Sequence, residues 1–133
     1  IFNRNVKTEI QVSPDTQIML NKELVLRALD NLYSNAQRYT KDKGVIIIKA
    51  NETESEIKIS VEDTGIGINE KDIQFIFDIL YRASNSRNEP GYGIGLSVVK
   101  NIIDSHGWKI DVKSQVGVGT NFTITIPKTS SKA

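Results

Sequence analysis

Ile57-Lys58-Ile59-Ser60-Val61-Glu62-Asp63-Thr64-Gly65-Ile66-Gly67-Ile68 is the stretch on which the fold of this 133-residue chain turns. Ile57 to Glu62 reads as a β-strand that delivers Asp63 at its end. An aspartate so placed accepts a hydrogen bond from an amine. The glycines after it, Gly65 and Gly67, remove side chains so that an apolar ring can come close. The same residues also spell a tight Asp-Thr-Gly turn closed by an Asx bond. On this segment alone both readings stand.

Upstream, Val45 to Ala50 reads as the partner strand, with Asn51 to Glu56 as the hairpin connection. Val45-Ile46-Ile47-Ile48 has no polar alternation, which predicts a strand covered on both faces. Val6 to Val12 alternates apolar and polar residues with the period of a half-buried strand. Ser13-Pro14-Asp15 is a turn signal, and Gln17 to Leu20 reads as a second short strand. A long helix follows from about Lys22 to Tyr39, with Asn21 as N-cap. Val25, Ala28, Leu29, Leu32, Ala36 and Tyr39 fall on one face, assigned to the core. Asn31, Asn35 and Arg38 form a polar stripe beside it. Lys41 to Gly44 is a turn.

Downstream, a short helix is expected from about Glu70 to Ile76. Asp78 to Gly93 has little periodicity, and loops of that length inside compact domains are functional or mobile. Leu96, Val99, Ile102, Ile103 and His106 mark a further helix face, with Gly107 as its C′ residue. Trp108 to Lys113 and Asn121 to Ile126 make a last hairpin around Gly117-Val118-Gly119. The expectation is one α+β domain over residues 1–127, a mixed sheet with helices on one face, and a polar frayed tail over 128–133.

Composition narrows the classes. Lys and Arg number 17 against 16 Asp and Glu, a net charge of +1, which argues against a broad grip on nucleic acid or on an anionic membrane. No apolar run approaches the ~20 residues a membrane span needs, and Ile1-Phe2-Asn3-Arg4 has no signal-peptide layout. The chain has no cysteine, which excludes disulfides and thiolate chemistry and is compatible with a reducing compartment. The expected location is cytoplasmic. The missing initiator Met predicts a piece of something longer.

The chemistry concentrates in three places. Gly91-Tyr92-Gly93-Ile94-Gly95-Leu96 precedes a helix, where unsatisfied amides and bare glycines suit phosphate oxygens; a flexible hinge is the other reading. The amide oxygens of Asn31 and Asn35 are hard ligands suited to Mg²⁺, although a structural pair bonded to nearby backbone is equally written in them. Arg38, Arg82 and Arg87 are candidate phosphate partners. The glycine spacing fits neither Gly-x-Gly-x-x-Gly nor a Gly-Lys-Ser/Thr loop, so two other nucleotide-binding classes drop out. His106, the only histidine, sits at a helix end and is assigned to capping or packing. Without a second histidine or a cysteine there is no zinc site and no Ser-His-Asp arrangement.

Taken in order, Asn31-x-x-x-Asn35-Ala36, Asp63-x-Gly65-x-Gly67, Phe75-x-Phe77 and Gly91-x-Gly93-x-Gly95-Leu96 resemble the catalytic, ATP-binding domain of sensor histidine kinases. That domain belongs with gyrase, Hsp90-type chaperones and MutL in one ATP-binding superfamily. The resemblance runs from about Val6 to Pro127 and includes the closing Gly117-x-Gly119-Thr120. It implies a Bergerat-type fold, a mixed sheet under three helices, with ATP beneath a mobile lid over 78–93. It further implies that Asp63 binds the adenine amine, supported by Gly65, Gly67, Ile68 and Thr120, and that Tyr39 lies against the ring. Asn35 would hold Mg²⁺, with Asn31 and Arg38 nearby. Arg82 and Arg87, with the backbone of Gly91, Gly93, Gly95 and Leu96, would meet the phosphates. Phe77 would couple the lid to a neighbouring domain.

In the hydrolysing relatives a glutamate stands where this chain has Asn31. The resemblance therefore implies transfer to a histidine with slow hydrolysis, since transfer needs mostly positioning and charge neutralisation. The expected partners are a phosphoacceptor helical domain and a response regulator receiver domain, with no nucleic acid, no direct membrane contact and a monomeric state. Arg38 departs from a commoner lysine, and Tyr92 from the usual glycine box. The alternatives are a serine protein kinase of the anti-sigma-factor type and a nucleotide-sensing regulator that transfers nothing.

Overall fold

The computed structural model describes residues 7–12, 22–40, 43–77 and 95–127. The expected Ser13–Asp15 turn, the 17–20 strand, the Asn21 cap, the 78–93 loop and the 128–133 tail lie outside them. Along the chain come β1 (Lys7–Val12), α1 (Lys22–Tyr39), β2 (Val45–Glu52), β3 (Glu56–Asp63), α2 (Glu70–Ile73), α3 (Gly95–His106), β4 (Lys109–Gln115) and β5 (Gly119–Pro127). The strands form one five-stranded sheet in the order β1-β2-β3-β5-β4. β1 runs parallel to β2 and every other neighbouring pair is antiparallel, the expected mixed sheet.

Register places the inward side chains in rows. Ile59, Ile124 and Ile110 face one another across β3, β5 and β4, and Val61, Phe122 and Val112 form the next row. Above them lie Ala28, Leu32 and Ala36 of α1 and Val99, Ile102 and Ile103 of α3, all buried. The apolar area this layer removes from water, at about 25 cal/mol per Å², is the main force holding helices to sheet. Three-to-four-residue spacing on both helices produces that single buried stripe.

The all-apolar opening of β2 does not give a strand covered on both faces. Ile46 is fully buried, whereas Val45 and Ile47 are only half-buried. Ile47 pairs with Glu62 and with Glu9 on the uncovered face. Among the described residues helices cover one side only, and Ile47 on the other side stays half-buried.

Local chemistry fixes the element ends. Thr53 closes the β2–β3 turn, its Oγ1 accepting from the Ser55 and Glu56 amides at 3.3 and 3.1 Å, so both strands run longer than expected. α2 ends as an α-helix at Ile73, but the Phe75 amide still donates to the Asp72 carbonyl at 2.9 Å, and turns carry the expected segment on to Phe77. α3 stops in a Schellman arrangement: Trp108 N–H donates to Ile103 O at 3.0 Å and Gly107 N–H to Asp104 O at 3.2 Å, with Gly107 at φ 72°. His106 bonds the Ile102 carbonyl through Nδ1 at 2.8 Å and stacks on Trp108, the capping and packing role assigned to it.

Candidate functional site

The innermost rows of the sheet are apolar until they reach one end. There the row is Ile46, Asp63, Thr120 and Ser114. Asp63 is buried. Its carboxyl pKa is pushed up from 3.8 to about 6, first by desolvation and slightly by the charge of Glu62, while the backbone amides of Gly65 and Thr120 pull it down. Asp63 Oδ1 accepts the Gly65 N–H at 2.8 Å. That is the Asx bond of the turn reading. A carboxylate has about four lone-pair positions, so the turn still leaves capacity for an incoming amine. The two readings of this segment are compatible.

Both glycines after Asp63 are demanded from within the protein. A Cβ on Gly65 would lie 2.4 Å from the Tyr39 carbonyl oxygen, and one on Gly67 would lie 2.2 Å from that of Gln115. Gly67 also has φ +78°, in the left-handed region. The Ile66 amide donates to Tyr39 O at 3.2 Å, and Thr40 bridges Gly65, so the loop is stitched to the end of α1. On its other side the Gly117 amide donates to Ile66 O at 2.9 Å and the Ile68 amide to Ser114 Oγ at 2.8 Å. The loop is clamped from both flanks.

From Tyr39 the polar stripe runs back along α1. Asn31 and Tyr39 are eight residues apart, about 12 Å along a helix axis, with Asn35 midway. Asn31 Nδ2 donates to the Arg27 carbonyl at 3.0 Å, the structural bond its sequence position allowed. Its Oδ1 would touch a Cβ on Gly95 at 3.4 Å, so it lies at the start of α3. Asn35 is half-buried and its side chain makes no hydrogen bond to any described residue. The structure thus brings Asp63, Gly65 and the Tyr39 carbonyl together at one end, ties Ile68 and Thr120 to them through Ser114, and sets Asn31 against Gly95 at the start of α3; the stretch of α1 between them, which carries Asn35, is the candidate site. Arg38 is half-buried on the same helix. Arg82, Arg87, Gly91 and Gly93 lie outside the described residues. Of the two phenylalanines, Phe77 packs edge-on against Phe122 at 6.3 Å between ring centres, and Phe75 is exposed.

Ser114 was not singled out from the sequence. Its signal was there: on β4 the inward positions run Ile110, Val112, Ser114, and a polar residue at the end of an apolar series marks where the core stops and a site begins. A groove of about 320 Å³ also opens at the ends of β3, β4 and β5. Its lining takes in Asp63, Ser114 and Thr120 as well as Glu62, Lys113 and Asn121 of the uncovered face, and no residue of α1 contributes, so it opens beside the Asp63 end of the candidate site.

Among the described residues no group of three His, Cys, Asp or Glu could hold a metal by itself. Asn35, whose amide oxygen accepts no hydrogen bond from a described residue, fits a cation whose other ligands come from phosphate and water. No helix among the described residues is long and apolar enough to cross a membrane.

Comparison with known proteins bears on the family and the fold. Residues 21–130 match the family described as histidine kinase-, DNA gyrase B-, and HSP90-like ATPase. The sensor protein SrrB of Staphylococcus aureus is 45% identical over 104 residues, which are 77% of this chain and 18% of that protein. The chain therefore spans less than a fifth of the length of such relatives. Among solved structures, the mycobacterial sensor histidine kinase MprB superposes with a TM-score of 0.83 at 24% identity, over 92% of this chain and 83% of that one. The catalytic domain of histidine kinase ThkA, in a nucleotide-free form, gives 0.79 at 26% identity over 92% and 80%.

Proposed function

Since the chain belongs to the family of histidine kinase-, DNA gyrase B- and HSP90-like ATPases and carries its ATP-binding domain, we propose that it is the catalytic half of a sensor histidine kinase. On this reading it transfers the γ-phosphoryl group of ATP to a histidine on a separate helical domain of the same protein. A response regulator receiver domain would take the phosphoryl group onward. The observation that carries the proposal is the buried Asp63 carboxylate, held by two backbone amides at one end of a candidate site whose middle offers the uncommitted amide of Asn35.

Each residue then has a task. Asp63 accepts the adenine amine, and Tyr39 covers the ring. Gly65 and Gly67 let the loop between them sit close enough to α1 and β4 to hold that carboxylate in place. Asn35 would hold Mg²⁺, which would supply positive charge to offset that of the phosphates. Arg38, Arg82 and Arg87 would share the phosphate charge, and the α3 N-terminus with Gly91, Gly93, Gly95 and Leu96 would offer amides. Asn31 donates its amide proton to Arg27 and has no basic group to draw a proton from water. An arrangement that positions phosphates without activating water favours transfer over hydrolysis.

Calorimetry with ATP and ADP, with and without Mg²⁺, on the wild type and on Asp63→Ala tests the binding step. Binding present in the wild type and lost in the variant is the expected result; binding unmoved by the substitution would overturn the assignment of Asp63. Radiolabel from γ-labelled ATP should then appear, acid-labile, on a supplied histidine-bearing helical domain. Label that is acid-stable and on serine would favour a kinase of the anti-sigma-factor type. Binding without any transfer would favour a nucleotide-sensing regulator.

A further inference from the structure

Three polar contacts meet at Ser114 Oγ. The Ile68 amide lies 2.8 Å from it, the Gly119 carbonyl oxygen 2.9 Å and the Thr120 hydroxyl 2.8 Å. One amide and two hydroxyls bring one hydrogen to each contact. The amide can only donate. A carbonyl has no proton, so the Gly119 contact is a hydrogen bond only when Ser114 donates to it. Thr120 must then donate to Ser114, and no other assignment satisfies all three.

Thr120 thereby spends its only hydroxyl proton away from Asp63, its direct cross-strand partner, whose carboxyl its backbone amide already meets. What its hydroxyl oxygen keeps is lone pairs. The ionised Asp63 carboxyl is likewise an acceptor, so two acceptors stand side by side at this end of the candidate site. We propose that Ser114 is a positioning residue that locks Thr120 as a hydrogen-bond acceptor and so selects a purine bearing an exocyclic amine over one bearing a keto oxygen. The proposal rests on the nucleotide-binding reading above. An amine can donate to both groups, whereas a keto oxygen meets acceptor against acceptor, the kind of mismatch by which a polar site rejects a wrong ligand. A water between protein and base relays the same preference: giving both its protons to Asp63 and Thr120, it has only lone pairs left for the base.

Ser114 also holds the loop through the Ile68 amide, and losing that bond would weaken every nucleotide alike. The ratio of affinities separates the two effects. Calorimetry with Mg²⁺ and either ATP or ITP, whose base has the keto oxygen and no exocyclic amine, is to be run on the wild type, Ser114→Ala and Ser114→Thr. The wild type should prefer ATP. In Ser114→Ala the Thr120 proton is free to turn toward the ligand, and the ATP-to-ITP ratio should narrow by about tenfold, the effect of one hydrogen bond gained or lost. Ser114→Thr keeps the hydroxyl and should restore the wild-type ratio. Equal loss of both affinities in Ser114→Ala, with the ratio unmoved, overturns the proposal. Should Ser114→Ala fail to fold, Thr120→Val removes the acceptor itself, and an unchanged ratio there is equally fatal. A wild type that binds neither nucleotide sinks the nucleotide-binding reading and this one with it. A wild type that binds ATP, with ratios unmoved in the variants, sinks this one alone.

Discussion

Asp63, the residue proposed to bind the base, works against the fold that carries it. Its carboxyl titrates near 6 in the folded chain against 3.8 ordinarily, so the folded state binds the proton more tightly than the unfolded one. Protonation therefore stabilises: the gain is complete below 3.8 and is lost as pH rises through 6. At pH 7 the ionised group costs the nucleotide-free protein roughly 3 kcal/mol, from a shift of about two units at 1.36 kcal/mol each. Asp63→Asn keeps the shape and the acceptor oxygen for Gly65 without the charge. It should raise the stability at pH 7 by 1 to roughly 3 kcal/mol and flatten the pH dependence between 4 and 7, read by urea unfolding across that range. Nucleotide affinity in the wild type should fall as pH drops through about 6, because a protonated carboxyl no longer accepts at both oxygens. The glycines give a second residue-scale comparison. Gly67 and Gly107 both have positive φ, but a Cβ on Gly67 would overlap the Gln115 carbonyl, whereas one on Gly107 meets nothing within 4 Å. Gly107→Ala should cost about 1–2 kcal/mol for conformation alone, and Gly67→Ala clearly more in the same unfolding assay. The candidate residues could be singled out from the sequence because their types are rare choices at those places: an aspartate at a strand end, asparagines on a helix. Why the glycines are there was not legible, since the Tyr39 and Gln115 carbonyls that exclude a side chain are remote in sequence from them.

At the scale of elements, periodicity placed α1, β2, β3, α3, β4 and β5 to within a few residues, since each buries one face and repeats accordingly. It misjudged β2 because an unbroken apolar run says how much surface needs cover without saying what supplies it; here, among the described residues, no second helix layer covers Ile47, which stays half-buried. Pairing was the least legible feature. That β5 inserts between β3 and β4, placing Thr120 against Asp63 on one side and Ser114 on the other, depends on register across distant strands. The attachment of β1 is a testable case. It is the parallel edge strand, and Thr8 Oγ1 meets Tyr33 OH of α1 at 2.8 Å. Tyr33→Phe removes that tie between edge strand and helix. Because the bond is exposed, the expected loss is about 0.5–1 kcal/mol. Amide exchange should quicken in β1 and leave β3 and β5 at their wild-type rates; quickening spread over the whole sheet would mean that β1 has no separate opening.

Across the whole molecule, the candidate site joins three segments that have little else in common. On the proposed reading the nucleotide lies along α1 between the Asp63 loop and the start of α3. A nucleotide bridging them supplies contacts that the free protein lacks, and anything that binds only the folded state stabilises it by mass action. With Mg·ATP at one hundred times its dissociation constant, the expected stabilisation is about 2.7 kcal/mol. Its distribution is the sharper test. Exchange protection should rise together at the loop amides of Gly65, Ile66 and Ile68, along the exposed side of α1 near Asn35, and at the first turn of α3. It should not rise in the Thr53–Ser55 turn or in β1, which take no part in the candidate site. Protection confined to the strand ends around Glu62, Lys113 and Asn121, with none along α1, would instead place the ligand wholly in the groove that Asp63, Ser114 and Thr120 also line. Protection along α1 with none at the Asp63 loop would mean that the phosphates bind without the base. Only the joint pattern ties recognition of the base to placement of the phosphates, and that coupling is what a module awaiting a substrate histidine requires before it can transfer anything.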